Sequence, residues 1–270
     1  PPLWHALRDA DSLLKAFSRS DTIAFAQSKD IELVQGEPTQ IRAPDTPSWA
    51  QSLYLLLEEK HGLAFVHPNI VVRTPHTLSW QRLKAVPRFV WRGFHLHTQH
   101  PIELTEALHN PHFPQAEAIV RTYIDWLARN RQNYFEFCLL RTVKEKAWLP
   151  YIQRLVAYAR ERGISVGIDL SLRMQQQYAY QLLPRLRSKR KALKARLTSL
   201  AQTGISHLNI ELTSAEFVGK SWGKWIDSLS AEAQRLGLRL MTRQHVVPPE
   251  AYAVGSFQPQ LLPPGFTLCV

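Results

Sequence analysis

Charged and imidazole side chains recur at the ends of hydrophobic segments in the C-terminal two-thirds of the chain. Carboxylates at such positions can act as general acids, bases or nucleophiles, imidazoles can move protons, and arginines bind hydroxyl or carboxylate groups. Charged groups are costly to bury unless they are paired, so their convergence predicts a functional pocket. The residues concerned are His97, His100, Arg141, Asp169, Glu211, Glu216, Arg243 and His245.

The segments that carry these residues alternate like strands covered by apolar residues on one face. Residues 164–171 place their apolar side chains at even positions, so Asp169 falls on the other face. The same alternation in residues 207–212 places Asn209 and Glu211 on one face, opposite to the apolar residues. A structural ion pair is the favoured interpretation for two residues early in their strands, Glu136 and His207.

Strand-like and helix-like segments alternate from residue 88 onward, which is typical of an α/β fold with a parallel sheet. Strands are predicted at 89–97, 134–140, 164–171, 206–212 and 238–245, with a sixth at 266–270. Helices are predicted at 116–130, 149–162, 185–202 and 224–236. We predict an incomplete (β/α)8 TIM-type barrel over residues 87–270, and expect its missing wall to lie in a longer natural chain or in another one.

The first 86 residues have a different pattern and predict a small α+β domain. A short helix at 10–17 leads into strands at 22–26, 31–34 and 40–43. A longer helix follows, with Ser48 as its expected N-cap and Gly62 as its expected end. Proline-containing segments up to Pro87 are expected to form a linker.

Composition excludes several classes of protein. Lys and Arg number 33 against 22 Asp and Glu, a formal charge of +11, and hydrophobic residues make up 45%. Much of the positive charge lies in residues 185–196, whose leucines keep a helical stripe without interleaved aromatic residues, so we expect a solvated helix face and no nucleic-acid partner. No apolar run is long enough to cross a bilayer.

Cysteine usage and the first residues say less about the protein. Two cysteines cannot form a disulfide framework or a four-cysteine zinc site. The chain begins Pro1-Pro2-Leu3-Trp4, which is expected of a processed or trimmed end. The sequence does not determine the cellular compartment, and a periplasmic or secreted location is compatible with it. It does not determine the oligomeric state either.

Several segments resemble the family 20 glycoside hydrolases, the β-N-acetylhexosaminidases. Pro87, Phe89, Arg92 and Gly93 match the Pro-x-Phe-x-x-Arg-Gly entry to the first strand of the family's catalytic barrel. Residues 49–62 and 65–68 are similar to the end of the small α/β domain that precedes this barrel, which α-glucuronidases also have. Residues 133–139 and 158–164 are similar to its second strand and to the helix before its third.

The resemblance implies roles for individual residues. Arg92 corresponds to an arginine that binds sugar hydroxyls, and Glu216 to the general acid when a small insertion is allowed. The neighbouring aspartate, which orients the substrate's acetamido group, is replaced by Ala215. His97 and Arg141 also replace family residues, and in strand three the family's Glu-x-Asp becomes Asp169-Leu-Ser.

Three hypotheses remain open. The first is a divergent glycoside hydrolase without metal or cofactor. Its catalytic residues would be Glu216 as the acid and Glu211 or Asp169 as the carboxylate partner, because glycosidic cleavage needs two carboxyl groups. Its carbohydrate would be bound by Arg92, His97, His100, Arg141, Arg243 and His245. The second is a metal-dependent, amidohydrolase-like hydrolase that uses His95, His97, Glu211 and His245. The third is a non-catalytic carbohydrate-binding relative.

Overall fold

The computed structural model describes residues 2–17, 21–74, 81–96, 102–171, 179–183, 188–211, 223–243 and 266–269. The chain divides into two compact units. The first comprises Pro1–Gly93, Ala118–Tyr134 and Tyr158–Ile164, and the second Phe94–Glu117, Phe135–Ala157 and Ser165–Val270. The first unit thus combines the N-terminal region with two later segments, and the domain boundary after residue 86 stays a prediction.

The N-terminal elements of the first unit are α1 (Pro2–Ala16), β1 (Ile23–Gln27), β2 (Glu32–Val34), β3 (Thr39–Ala43) and α2 (Thr46–His61). Helix α1 begins earlier than predicted because Ala6 and Ala10 continue the buried stripe of Leu13 and Leu14 toward the N-terminus. Asp45, and not Ser48, caps α2: its Oδ1 accepts the Ser48 N–H at 2.8 Å. Gly62 ends α2 at a φ of 67°, as expected.

The predicted linker contains regular structure. Strands β4 (Leu63–His67) and β5 (Ile70–Arg73) pair antiparallel as a two-stranded sheet. Strand β6 (Arg82–Lys84) pairs antiparallel with β2, and Arg82 donates to Glu32 at 2.6 Å. The N-terminal sheet therefore has four strands in the order β1-β3-β2-β6. Short strands at an edge carry weak sequence patterns, which is why the prediction missed them.

A further sheet has six strands, and strands that follow one another in the sequence are neighbours in it. They are β7 (Gly93–Leu96), β8 (Tyr134–Cys138), β9 (Ser165–Ser171), β10 (His207–Glu211), β11 (Arg239–Arg243) and β12 (Phe266–Cys269). Strands β9 to β12 pair parallel with one another. This order agrees with a partial barrel and confirms the α/β class, while closure of the barrel stays a prediction.

In the described part of the chain, the helices between these strands are α3 (Ile102–His109), α4 (Ala116–Arg129), α5 (Glu145–Glu161), α6 (Lys189–Gln202) and α7 (Gly223–Arg235). Helix α3 was not predicted. Gly163, Gly204 and Gly237 follow three of them with positive φ angles, as expected of C-terminal caps. Within the described segments, no helix is long and apolar enough to span a membrane.

Candidate functional site

Three neighbouring strands of the six-stranded sheet turn polar side chains to one face. Glu136 lies on β8, Asp169 on β9 and Asn209 on β10, and Asp169 and Asn209 are register partners. The adjacent Ile168 and Leu170 are completely buried, as the alternation predicted for the covered face of this strand. The local sequence therefore determines which face of each strand is polar.

His95, at the third position of β7, joins two of these carboxylates. Its Nδ1 lies 2.6 Å from Glu136 Oε1, and its Nε2 lies 3.7 Å from Asp169 Oδ2. Asn209 Nδ2 donates to the same Glu136 oxygen at 2.9 Å. We name His95, Glu136 and Asp169 the imidazole–carboxylate cluster. One candidate ligand atom from each of its members lies within 4.8 Å of those of the other two.

The two carboxylates of the cluster are buried, which costs free energy because they lose their hydration. The side chains of Glu136 and Asp169 are 4% and 6% exposed, whereas that of His95 is 26% exposed. Two carboxylates removed from water repel each other and lose hydration unless cations or donors compensate. His95 faces both carboxylates, and Asn209 contributes a hydrogen bond to Glu136. Solvent reaches the cluster at His95.

His207 lies on the same strand face as Asn209 and remains neutral. Burial, reinforced by the positive charge of Arg239, lowers the pKa of His207 to about 4, and Glu136 opposes this effect only in part. Its Nδ1 lies 2.6 Å from Ser206 Oγ. Since the imidazole is uncharged near neutral pH, His207 adds no positive charge beside the buried carboxylates. Its burial agrees with a structural role but not with the ion pair expected from the sequence.

Two of the three predicted catalytic residues lie in described strands, and one of them belongs to the cluster. Asp169 belongs to the cluster. Glu211 is the last residue of β10 and pairs in register with Ser171, the last residue of β9. Glu216 lies outside the described residues.

Among the predicted binding residues, Arg141 is exposed in the turn after β8, and Arg243 ends β11. The described segments do not include three of them, His97, His100 and His245. The structure brings Asp169 together with Glu136, which was expected to be structural, and with His95, a predicted ligand in the metal-dependent hypothesis.

Arg92 precedes β7 and makes its described hydrogen bonds within the first unit. Its guanidinium donates to the Arg131 carbonyl at 3.2 Å, the Phe89 carbonyl at 2.8 Å and Gln51 Oε1 at 2.8 Å. It lines a cavity of about 470 Å³ that Lys84 and Gln51 also border. Burial, and then the charge of Arg131, lower the pKa of Arg92. Sugar binding by Arg92 stays a prediction.

The sequence contains a signal for Glu136 and His95, because each is a polar residue between apolar neighbours in its strand. Asn209 shows the same alternation, between Leu208 and Ile210. Glu136 was interpreted as structural because it lies early in its strand. The register between strands, which the sequence does not specify, brings His95, Glu136 and Asn209 to one level of the sheet.

No family model matches the chain, and no curated protein matches it by sequence. Solved structures of family 20 enzymes share its fold. A Vibrio harveyi exo-β-N-acetylglucosaminidase, as an inactive mutant, aligns with a TM-score of 0.60 and 13% identity over 90% of this chain and 49% of that one. The Streptomyces coelicolor β-N-acetylhexosaminidase aligns with a TM-score of 0.61 and 12% identity over 97% of this chain and 62% of that one.

A mutant Streptomyces plicatus β-hexosaminidase in complex with its product GlcNAc aligns with a TM-score of 0.59 and 14% identity, over 97% of this chain and 62% of that one. The chain thus spans about half to three-fifths of the length of these enzymes. At 12–14% identity the similarity establishes a fold like that of family 20 enzymes. It does not transfer their chemistry to this chain.

Proposed function

We propose that this chain belongs to a divergent glycoside hydrolase that binds a carbohydrate and cleaves an O-glycosidic bond with paired carboxylates. The observation that carries the proposal is a buried carboxylate, Asp169, on the polar face of a sheet whose fold is shared with β-N-acetylhexosaminidases. Active sites of barrels of this type lie at the C-terminal ends of the strands, where Glu211 also lies.

The backbone supports a pair formed by Asp169 and Glu211. Asp169 is level with Asn209, and Glu211 lies two residues farther along the same face of β10. With about 4.8 Å between strands and 3.3 Å per residue, the two Cα atoms are about 8 Å apart. Side chains of this length can then hold carboxyl groups about 5–5.5 Å apart, for retention, or about 6.5–9.5 Å apart, for inversion.

Glu216 is the proposed proton donor, because the resemblance to family 20 aligns it with the general acid just beyond this strand. Ala215 stands where the family has the aspartate that orients an acetamido group. The proposed reaction therefore uses Glu211 or Asp169 as the second carboxylate and needs no acetamido group on the substrate. Arg92, His97, His100, Arg141, Arg243 and His245 are the proposed contacts to sugar hydroxyls.

Turnover of a panel of 4-nitrophenyl glycosides and chito-oligosaccharides by the full-length protein tests the proposal. Glu216→Gln should lower turnover by at least about 100-fold while calorimetric affinity for the sugar is nearly kept, the scale expected for loss of a general acid. Glu103→Gln is the matched control, since Glu103 is an exposed glutamate on α3. Unchanged turnover in Glu216→Gln would exclude Glu216 from the mechanism.

The same panel separates the other two hypotheses. Sugar binding without turnover of any glycoside by the wild-type protein would identify a non-catalytic carbohydrate-binding relative. Hydrolysis of an amide or ester that a chelator abolishes would favour a metal-dependent hydrolase. If the protein neither binds a sugar nor turns over any glycoside, the proposal is wrong.

A further inference from the structure

The imidazole–carboxylate cluster has the composition of a metal site. It joins one imidazole and two carboxylates from three consecutive strands of the sheet, β7, β8 and β9. Imidazole nitrogen and carboxylate oxygen are the ligands that proteins offer to divalent transition ions such as Zn²⁺ and Mn²⁺. A doubly charged cation would also interact favourably with the two buried carboxylates.

The distances within the cluster are close to those around a shared ion. Bonds of about 2.0–2.2 Å at tetrahedral or octahedral angles separate neighbouring ligand atoms by about 2.8–3.6 Å. His95 faces the two carboxylates through different ring nitrogens: Nδ1 lies 2.6 Å from Glu136 Oε1, and Nε2 lies 3.7 Å from Asp169 Oδ2. One candidate ligand atom from each residue lies within 4.8 Å of those of the other two. The side chains must therefore rotate to bring one imidazole nitrogen and both carboxylates to the spacing of ligands around one ion.

Asn209 supplies an independent indication. It is 2% exposed, and its Nδ2 donates to Glu136 at 2.9 Å. Its Oδ1 is buried and has no hydrogen-bond partner within the part of the chain that the structure describes. Buried acceptors of this kind are rare because they lose their hydration without compensation. Asn209 thus contacts the cluster through Glu136 and carries an amide oxygen, a type of ligand that divalent cations accept.

We infer that His95, Glu136 and Asp169 bind a divalent transition ion through one imidazole nitrogen and one oxygen from each carboxylate, with Asn209 Oδ1 beside it. The carboxylates are buried and His95 is 26% exposed, so the ion reaches the site from the solvent on the His95 side. Three protein ligands leave at least one coordination position for water or another oxygen ligand. The inference does not rest on glycosidase activity, although it shares Asp169 with the proposed function; an ion bound to Asp169 would leave Glu211 as the second carboxylate of that reaction.

Metal binding by the chelator-treated full chain tests the inference, with no sugar present. Titration with Co²⁺, followed by visible absorption, and with Zn²⁺, followed by equilibrium dialysis and elemental analysis, should give one high-affinity ion per chain. Asp169→Asn and His95→Gln should each weaken binding by at least about 100-fold, and Asn209→Ala by about 10–100-fold, as when a group that supports a ligand is lost. His112→Asn, at an exposed histidine outside the cluster, should bind as the wild type does.

A spectroscopic measurement on the wild type avoids dependence on variants that fail to fold. Electron spin echo modulation of the Mn²⁺-loaded protein should show coupling to one imidazole nitrogen. Absence of this coupling, absence of stoichiometric binding, or unchanged affinity in both folded ligand variants would overturn the inference. The cluster would then be an ion triad around His95. Because no glycoside is involved, failure here and failure of glycoside turnover are separate results.

Discussion

At the scale of single residues, the chemistry of Asp169 depends on its partner His95. In strand β9 the carboxylate has an apolar residue on each side, and it is 6% exposed. Burial of this kind is tolerated when a cation or donors face the charge. His95 faces both Asp169 and Glu136, so its ring lies between two buried carboxylates that would otherwise face each other.

Replacing His95 should therefore lower stability, because Glu136 and Asp169 would lose the imidazole that contacts both of them. In chelator-treated protein, we expect His95→Gln to lower the free energy of unfolding at pH 7 by about 3 kcal/mol, the scale for removing one partner of a buried ion pair. Adding Asp169→Asn should restore part of this loss, because one of the two repelling charges is gone. Urea unfolding of the two single variants and the double variant measures the coupling. Additive losses would show that the two residues do not interact.

His207 should make stability depend on pH. The pKa of this histidine falls from its ordinary value of 6.5 to about 4 in the folded protein. The unfolded chain therefore takes up the proton first as the pH falls. Stability from this group is complete above pH 6.5 and is lost toward pH 4, by up to about 1.4 kcal/mol per pH unit.

The matched variant for this effect is His207→Gln, which cannot take up the proton. Its free energy of unfolding should fall less than that of the wild type between pH 6.5 and pH 4.5, when both are measured by urea unfolding. Identical pH dependence in the two proteins would show that His207 is not held neutral by burial.

At the scale of elements, close backbone approach determines where β7 can begin. The Tyr134 N–H donates to the Arg92 carbonyl at 3.0 Å, which brings the first residue of β8 against the start of β7. A Cβ at Gly93 would lie 1.9 Å from the Tyr134 carbonyl oxygen. Backbone atoms cannot move away as the end of a flexible side chain can, so only glycine fits at this position.

Gly93→Ala should consequently be among the most damaging small substitutions in the chain. We expect it to cost at least about 3 kcal/mol of unfolding free energy, or to prevent folding, because an overpacked site must displace backbone. Gly237→Ala is the control: nothing lies within 4 Å of its Cβ, and its φ of +71° costs only about 1–2 kcal/mol. Equal losses in chemical denaturation of the two variants would contradict the steric argument.

At the scale of the whole molecule, the first unit depends on segments far apart in the sequence. Arg129 of α4 makes two hydrogen bonds to Asp9 of α1, at 2.7 and 2.8 Å. Trp126 Nε1 donates to the Phe65 carbonyl at 2.8 Å, and Arg131 pairs with Glu58. Residues 118–134 therefore complete the N-terminal unit, although they follow the predicted domain boundary.

A fragment that starts at residue 87 should accordingly be unstable. It would lack Asp9, Phe65 and Glu58, leaving the charges of Arg129 and Arg131 and the indole of Trp126 without these partners. We expect loss of cooperative unfolding by circular dichroism and aggregation in size-exclusion chromatography, compared with the full chain. A monomeric fragment with the unfolding free energy of the full chain would show that these contacts contribute little.

The sequence by itself determined the α/β class, the succession of the strands and the polar face of each central strand. These features follow from local patterns: the alternation around Asp169 has a period of two, and Gly163, Gly204 and Gly237 interrupt helical periodicity where the helices end. The resemblance carried by Pro87, Phe89, Arg92 and Gly93 also led to the fold that the solved structures share.

Only the tertiary structure decided which polar residues meet. Glu136 and Asp169 are 33 residues apart in the sequence, and their common contact with His95 depends on how strands distant in the sequence lie beside one another in the sheet. The structure likewise joined β6 to β2 across the expected linker, and residues 118–134 to the N-terminal unit. Such contacts form because distant segments bury surface and satisfy charges together, a condition met only in the folded chain.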